Sequence, residues 1–108
     1  MTVLAWLQSR TPPAQPALLQ RVVGALGNRA TQDSANASAL CLDAAEQLLA
    51  QLLAQPELGR ESALDLLAAD ALVTYALEAA AADSERLEDS TVAAMTRLAG
   101  LAAGRTRE

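Results

Sequence analysis

Apolar residues recur at helical spacing along most of the chain. In one segment, for example, Leu18, Val22 and Leu26 follow one another at steps of four residues. The pattern predicts four principal helices and a short N-terminal helix, in residues 1–8, 17–26, 37–54, 62–82 and 90–103. We therefore expect an all-α fold, a small helical bundle.

Residues that end or begin helices separate these segments. The prolines of RTPPAQP form a hinge after the first helix, Gly27 ends the second, and Pro56 ends the third. Ser62, followed by Asp65, resembles a capping box at the start of the fourth helix. The polar stretch DSERLEDS, residues 83–90, is predicted to be a linker.

The segment after this linker is predicted to be the last helix of the bundle. Either Asp89 or Ser90 is expected to cap its first turn. Its apolar residues are expected to face the core, and these are Val92, Met95, Leu98 and Ala102.

A chain of 108 residues corresponds to a single domain. We divide it into an N-terminal segment with the Pro-rich hinge (1–15), a helical core (16–103) and a charged tail (104–108). Ala and Leu supply nearly all the apolar mass, and Trp6 and Tyr75 are the only aromatic residues. Because an Ala-rich core buries little area per residue, association with a second chain would add stability.

The fourth predicted helix carries a narrow line of polar residues. Asp70, Thr74 and Glu78 fall within an arc of about 80° on a helix, and nearly all the remaining positions are apolar. We therefore expect this helix to be buried on most sides. The polar line has two interpretations, a patch inside a pocket or the solvent-facing strip, and we favour the strip.

The segment LLAADALVTYALE, residues 66–78, resembles a segment of the trans-prenyltransferases (polyprenyl diphosphate synthases) that reads roughly L-L-A-G-D-A-L-x-T-x-A-F-E. Ala69 and Leu77 replace the Gly and Phe that are usual there. In that family the segment is a packing helix near the subunit contact, so the resemblance implies helical packing and a dimer. The two D-D-x-x-D motifs that hold magnesium in that family do not occur in this sequence.

Charge is unevenly distributed along the chain. The net charge is −5, and the whole deficit lies in residues 55–108. Because phosphate contacts dominate affinity for nucleic acid, an acidic chain without a basic stripe argues against a nucleic-acid partner. The most apolar stretch contains Asp70 and Glu78, which argues against a membrane span. The N-terminus has no pattern of a secretory signal, so we expect a cytoplasmic protein.

Several residue types that carry enzyme chemistry are missing. The sequence has no His, no Lys and one Cys, which removes the commonest general base, the Schiff-base amine and any thiolate metal cluster. The carboxylate pairs Asp65/Asp70 and Glu57/Glu61 are more simply interpreted as surface acids near helix starts. We expect no catalytic residues, no metal site and no cofactor.

Two single residues allow alternative interpretations. Cys41 lies between Leu40 and Leu42, so we expect a buried, unreactive thiol; the alternative is a reactive or intermolecular thiol. Trp6 lies before the Pro-rich hinge, and it either closes its own core or docks on a partner subunit. We favour the intramolecular position.

These features together predict a non-enzymatic interaction or structural module whose partner is a second copy, in a homodimer, or another helical protein. The predicted interface residues are Trp6, Leu48, Leu52, Leu67, Ala71 and Tyr75. The alternative is a binding module with a pocket between the third and fourth helices for an apolar or isoprenoid-like ligand. In that alternative, the polar contacts come from Asp70, Thr74, Tyr75 and Glu78.

Overall fold

The computed structural model describes the backbone of residues 1–106 and the side chains of all of them except 61, 90, 102 and 104–106. The helices are α1 (Val3–Gln8), α2 (Pro16–Leu26), α3 (Ala37–Leu53) and α4 (Arg60–Thr106), with 3₁₀ turns at Gly27–Thr31 and Ser34–Asn36. The only extended pairing within the described residues is one isolated bridge between Thr2 and Asp33. The all-α prediction is confirmed.

Local sequence accounts for the ends of the first three helices. Thr2 caps α1, because its side chain accepts a hydrogen bond from the backbone N–H of Ala5 at 3.1 Å. Pro16 begins α2, a position where its missing N–H costs nothing, and Gly27 ends α2 with φ of +56°. The predicted bounds of the second and third helices agree with α2 and α3 to within one residue.

The predicted linker at residues 83–90 is wrong, because these residues belong to one uninterrupted helix of 47 residues. The stretch contains neither Gly nor Pro, and its Glu, Arg and Leu residues are good helix formers. Asp83 and Arg86 form an ion pair one turn apart, which supports the helix at this point. The chain therefore has three principal helices and the short α1, and no helix begins at Asp89 or Ser90.

The predicted capping box at Ser62 is also wrong. α4 begins two residues earlier, at Arg60. The Ser62 hydroxyl donates to the side-chain oxygen of Gln55 at 3.2 Å, and Asp65 forms an ion pair with Arg21 of α2. Both side chains thus hold α4 against the preceding elements.

The core lies where α2, α3 and residues 62–79 of α4 meet, with α1 closing one end. Small residues predominate on the facing sides of α3 and α4, so the two backbones approach closely. Two backbone hydrogen bonds fasten the N-terminus to the loop before α3: Val3 N–H donates to the carbonyl of Gln32, and Ser34 N–H donates to that of Met1, each at 2.9 Å. The buried apolar residues are Val3, Leu7, Val22, Leu26, Ala30, Ala37, Cys41, Ala44, Ala45, Leu48, Leu52, Ala68, Ala69, Leu72, Ala76 and Ala79.

The second half of α4 extends beyond this core. The molecule measures 75 × 25 × 23 Å, and Ala79 is the last buried residue along the described chain. We call residues 84–106 the arm; at 1.5 Å per residue it is about 35 Å long. Every side chain that the structure describes in residues 84–103 is exposed. The elongated shape follows from the length of α4, which continues beyond the last buried residue of the described chain.

Two expectations about burial are therefore wrong. The first half of α4 is buried on one side only, since Leu66, Leu67 and Leu77 are 44, 57 and 66% exposed. Val92, Met95 and Leu98 lie in the arm and face solvent instead of the core. The side chains of Ala102 and of the whole predicted tail, 104–108, lie outside the described part of the chain.

Candidate interaction surface

The structure brings the four predicted ligand-binding residues into one shallow groove. Asp70, Thr74, Tyr75 and Glu78 line it from α4, and Arg10, Thr11, Pro12 and Ala71 complete it. Its volume is about 300 Å³. The opposite wall is the N-terminal segment and its hinge, not α3, so this groove lies elsewhere than the pocket that the alternative interpretation predicts.

Three polar side chains of the groove, Arg10, Glu78 and Thr74, already have partners within the chain. Both the Nε and an Nη of Arg10 lie 2.9 Å from Oε2 of Glu78. The Thr74 hydroxyl donates to the backbone carbonyl of Asp70 at 3.0 Å. Asp70 and Thr74 are exposed and Glu78 is half-buried. The polar line therefore forms a solvent-facing strip along the rim of the groove.

Trp6 packs within its own chain. Its ring meets that of Tyr75 edge to face, with centroids 6.1 Å apart and planes 79° apart. The guanidinium carbon of Arg10 lies 4.6 Å from the centroid of the Trp6 ring on the same side of the molecule. Trp6, Arg10, Tyr75 and Glu78 thus form a connected cluster that fixes α1 against α4.

The predicted interface residues do not share one surface. Leu48 and Leu52 are 3% exposed and belong to the core. Ala71, Tyr75 and Trp6 are half-buried beside the groove, and Leu67 is the one member of the set with an exposed side chain. In this chain, therefore, Leu48 and Leu52 already have packing partners.

The arm exposes more apolar surface than the predicted interface residues do. Leu87, Thr91, Ala94, Leu98 and Leu101 recur at alternating steps of four and three residues and therefore share one face of α4, which we call the arm stripe. Val92 and Met95 widen it on one side. The five large apolar side chains of this surface are 60–69% exposed: Leu87, Val92, Met95, Leu98 and Leu101.

Thr91 is the one polar residue of the arm stripe, and its hydroxyl is satisfied inside the helix. It donates to the backbone carbonyl of Leu87 at 2.9 Å. Thr96 makes the equivalent bond to the carbonyl of Val92, also at 2.9 Å. Covering Thr91 with an apolar partner would therefore leave no unpaired hydroxyl hydrogen.

Charge divides the arm into two halves. Residues 84–90 contain three acids and one Arg: Glu85, Arg86, Glu88 and Asp89. Residues 91–106 contain no acid and two arginines, Arg97 and Arg105. The arm is thus acidic next to the core and basic toward its C-terminal end.

Burial shifts two titratable groups in the core and groove. It raises the pKa of the Cys41 thiol from 9.0 to about 11, so the thiol is neutral at physiological pH, as the buried-thiol interpretation predicts. Burial, and next the charge of Glu78, raise the pKa of Tyr75, whereas Arg10 lowers it. The described residues contain no group of three or more Cys, Asp or Glu side chains arranged to hold a metal ion.

Sequence reasoning missed Leu87 and Leu101 as surface residues. The signal was available, because no helix breaker occurs between Asp83 and Thr91 and the apolar spacing runs on from Leu87 without a change of phase. The polar composition of residues 83–90 led instead to the prediction of a linker.

Comparison of the chain with protein-family models, with curated proteins and with solved structures returns no match. The resemblance of residues 66–78 to trans-prenyltransferases stays a prediction. Within the described residues, no helix combines the length and the apolar character needed to cross a membrane.

Proposed function

We propose that this protein is a non-enzymatic interaction module that forms a homodimer through the arm of α4. The observation that carries the proposal is the exposed apolar surface of the arm, where the side chains of Leu87, Val92, Met95, Leu98 and Leu101 are 60–69% exposed. Contiguous exposed apolar surface of this kind marks interaction sites. The proposal includes a cytoplasmic location, where the single thiol would stay reduced.

Burial of the apolar side chains of two arms would offset the free-energy cost of association. Full burial of one Leu, Val or Met side chain contributes about 1.5–3 kcal/mol. The ten large apolar side chains of two arms would together supply stabilisation of the same order as the roughly 4–15 kcal/mol that association costs.

Sedimentation equilibrium of the full chain with and without Leu98→Glu tests the proposal. We expect a dimer at micromolar concentration, and at least tenfold weaker association for Leu98→Glu, because a carboxylate would be buried in the centre of the arm stripe. Leu53→Glu is the matched control, since Leu53 is 83% exposed at the end of α3 and away from the arm. A monomeric parent chain at high micromolar concentration would contradict the proposal.

A second candidate function is a binding module that uses the groove beside Tyr75. It is supported by the convergence of all four predicted residues on one groove of about 300 Å³, the lower end of the usual range for ligand sites. The paired charges of Arg10 and Glu78 suit a polar ligand better than an isoprenoid chain. Native mass spectrometry of the purified protein checks this candidate, because a bound small molecule that Tyr75→Ala releases would support it over the arm.

A further inference from the structure

We infer that residues 11–14, which we call the strap, are held over α4 by the side chain of Arg10, and that the groove beside Tyr75 exists only while they are held there. The strap is thus a movable wall of the binding groove in the second candidate function. The inference rests on that candidate for its purpose, which is to open and close the groove around a ligand. The observation that carries it is the way in which the strap is attached to the rest of the chain.

Two distant parts of the chain build the groove. One wall is a stretch of α4 that contains Asp70 and Glu78, and the other wall is Arg10 with the first two residues of the strap, Thr11 and Pro12. The α4 wall belongs to a helix whose buried side packs against α3. Whether a groove forms therefore depends on the position of the second wall.

Backbone hydrogen bonds hold the chain on both sides of the strap but not within it. The N–H of Arg10 donates to the carbonyl of Leu7 at 3.2 Å, and the N–H of Leu19 donates to the carbonyl of Gln15 at 2.9 Å. Among the described residues, none makes a hydrogen bond to residues 11–14. Two of these four residues are prolines, which have no N–H to donate. The strap must therefore be positioned by side chains.

Arg10 supplies the contact that fastens the strap to α4. Its Nε and one Nη both lie 2.9 Å from Oε2 of Glu78, and its guanidinium lies over the ring of Trp6. The side chains of Arg10 and Glu78 are 33 and 40% exposed, so water and salt reach the ion pair. Exposed ion pairs are weak and are screened by salt. This contact can therefore open without unfolding of the core.

The contacts of α1 confine such a movement to the strap. Val3 and Leu7 are 0 and 3% exposed, and the N–H of Val3 donates to the carbonyl of Gln32 at 2.9 Å. None of these contacts involves Glu78. Separation of Arg10 from Glu78 therefore frees a short segment between two fixed ends, and α1 stays in place.

Fluorescence of Trp6 reports the position of Arg10, because Trp6 is the only Trp of the chain and Arg10 lies over its ring. Glu78→Ala removes the acceptor of Arg10, so we expect the acrylamide quenching constant of Trp6 to be about twofold larger than in the parent chain. Asp43→Ala is the matched control. It removes the ion pair of Arg29, changes the net charge equally and lies away from the groove, so quenching should stay unchanged.

Ionic strength tests the same contact without a substitution. Quenching of Trp6 in the parent chain should increase between low salt and about 1 M salt, where the Debye length is about 3 Å. Glu78→Ala should show no such increase, because its strap is already released. Acrylamide is neutral, so salt does not change its attraction to the protein.

Hydrogen exchange of the Val3 amide separates movement of the strap from release of α1. We expect equal protection of this amide in the parent chain and in Glu78→Ala, because its bond to Gln32 does not depend on Arg10.

The outcomes separate the strap from the binding module. Larger, salt-independent quenching in Glu78→Ala with a protected Val3 amide supports the strap. Equal quenching in the parent chain and both variants, or loss of Val3 protection in Glu78→Ala, overturns it. These measurements use no ligand, so the absence of a bound small molecule in native mass spectrometry contradicts the second candidate function alone. A bound small molecule together with equal quenching overturns the strap and leaves that candidate function intact.

Discussion

At the residue scale, burial decides which apolar side chains stabilise this fold. The sequence contains many leucines of the same local character, yet Leu72 is completely buried whereas Leu77, five residues later, is mostly exposed. The difference arises because Leu72 faces α3 and Leu77 faces away from it. Cys41 likewise lies on the buried side of α3, where its thiol stays neutral.

Leu72→Ala should lower the free energy of unfolding by about 2–5 kcal/mol. The substitution removes a completely buried side chain between helices that are already rich in Ala, so neighbouring side chains cannot fill the space. Urea denaturation followed by circular dichroism, at one protein concentration, measures the change. Leu53→Ala is the control and should stay within about 0.5 kcal/mol of the parent chain. Equal effects of the two substitutions would contradict the packing described here.

The raised pKa of Cys41 predicts a loss of stability at high pH. The folded state binds the thiol proton more tightly than the unfolded state, so this stabilisation is fully present below pH 9 and is lost as the pH rises toward 11. Two units of pKa correspond to about 2.7 kcal/mol. Denaturation at pH 8 and pH 11 should show a smaller pH-dependent loss for Cys41→Ala than for the parent chain. An identical loss would show that Cys41 does not contribute.

At the element scale, the continuity of α4 shapes the molecule. Residues 83–90 are polar enough to suggest a loop. A helix ends at a Gly, a Pro or a capping side chain, however, and this stretch contains no Gly or Pro and no cap that interrupts the helix. The Asp83–Arg86 ion pair and the hydroxyl bond of Thr91 to Leu87 lie within this stretch. One long helix in place of two short ones carries the arm stripe away from the core.

Ser84→Pro should break α4 between the core and the arm. Proline in a helix interior removes a hydrogen bond and clashes with the preceding turn, at a cost of about 3 kcal/mol. We expect lower helix content by circular dichroism and weaker dimerisation, whereas Ser84→Ala should preserve both. Unchanged helix content in the proline variant would instead support a linker at residues 83–90.

At the scale of the whole molecule, the core and the arm have separate tasks. All the buried apolar residues that the structure describes lie between Val3 and Ala79, so the described core does not depend on the arm. The arm adds exposed apolar surface and a charge gradient, and neither feature stabilises the single chain. In the proposed dimer, a second chain would cover this apolar surface.

The melting temperature should therefore rise with protein concentration. A ligand or second copy that binds only the folded state stabilises it by mass action. Over a hundredfold range of concentration we expect a clear increase for the parent chain and for Leu53→Glu. Leu98→Glu should melt at one temperature throughout and keep the near-ultraviolet signal of Trp6, because the core does not depend on the arm. A melting temperature independent of concentration in the parent chain would argue against self-association.

The sequence by itself determined the local features of this protein. Apolar spacing and helix propensity fixed the all-α class, the bounds of α2 and α3, and the buried setting of Cys41, because these properties depend on residues within a few turns of one another. Asp70, Thr74, Tyr75 and Glu78 line one groove because all four lie on the same side of α4.

Only the tertiary structure decided which helix faces find partners. Leu48 and Leu98 have similar local surroundings, yet Leu48 lies on α3, which packs against α2 and α4, whereas Leu98 lies in the exposed part of α4. Likewise, no local pattern shows that Arg10 meets Glu78 or that Trp6 meets Tyr75, because these pairs are far apart in the chain. Burial depends on the neighbours that the chain supplies in space, and periodicity alone contains no information about their number.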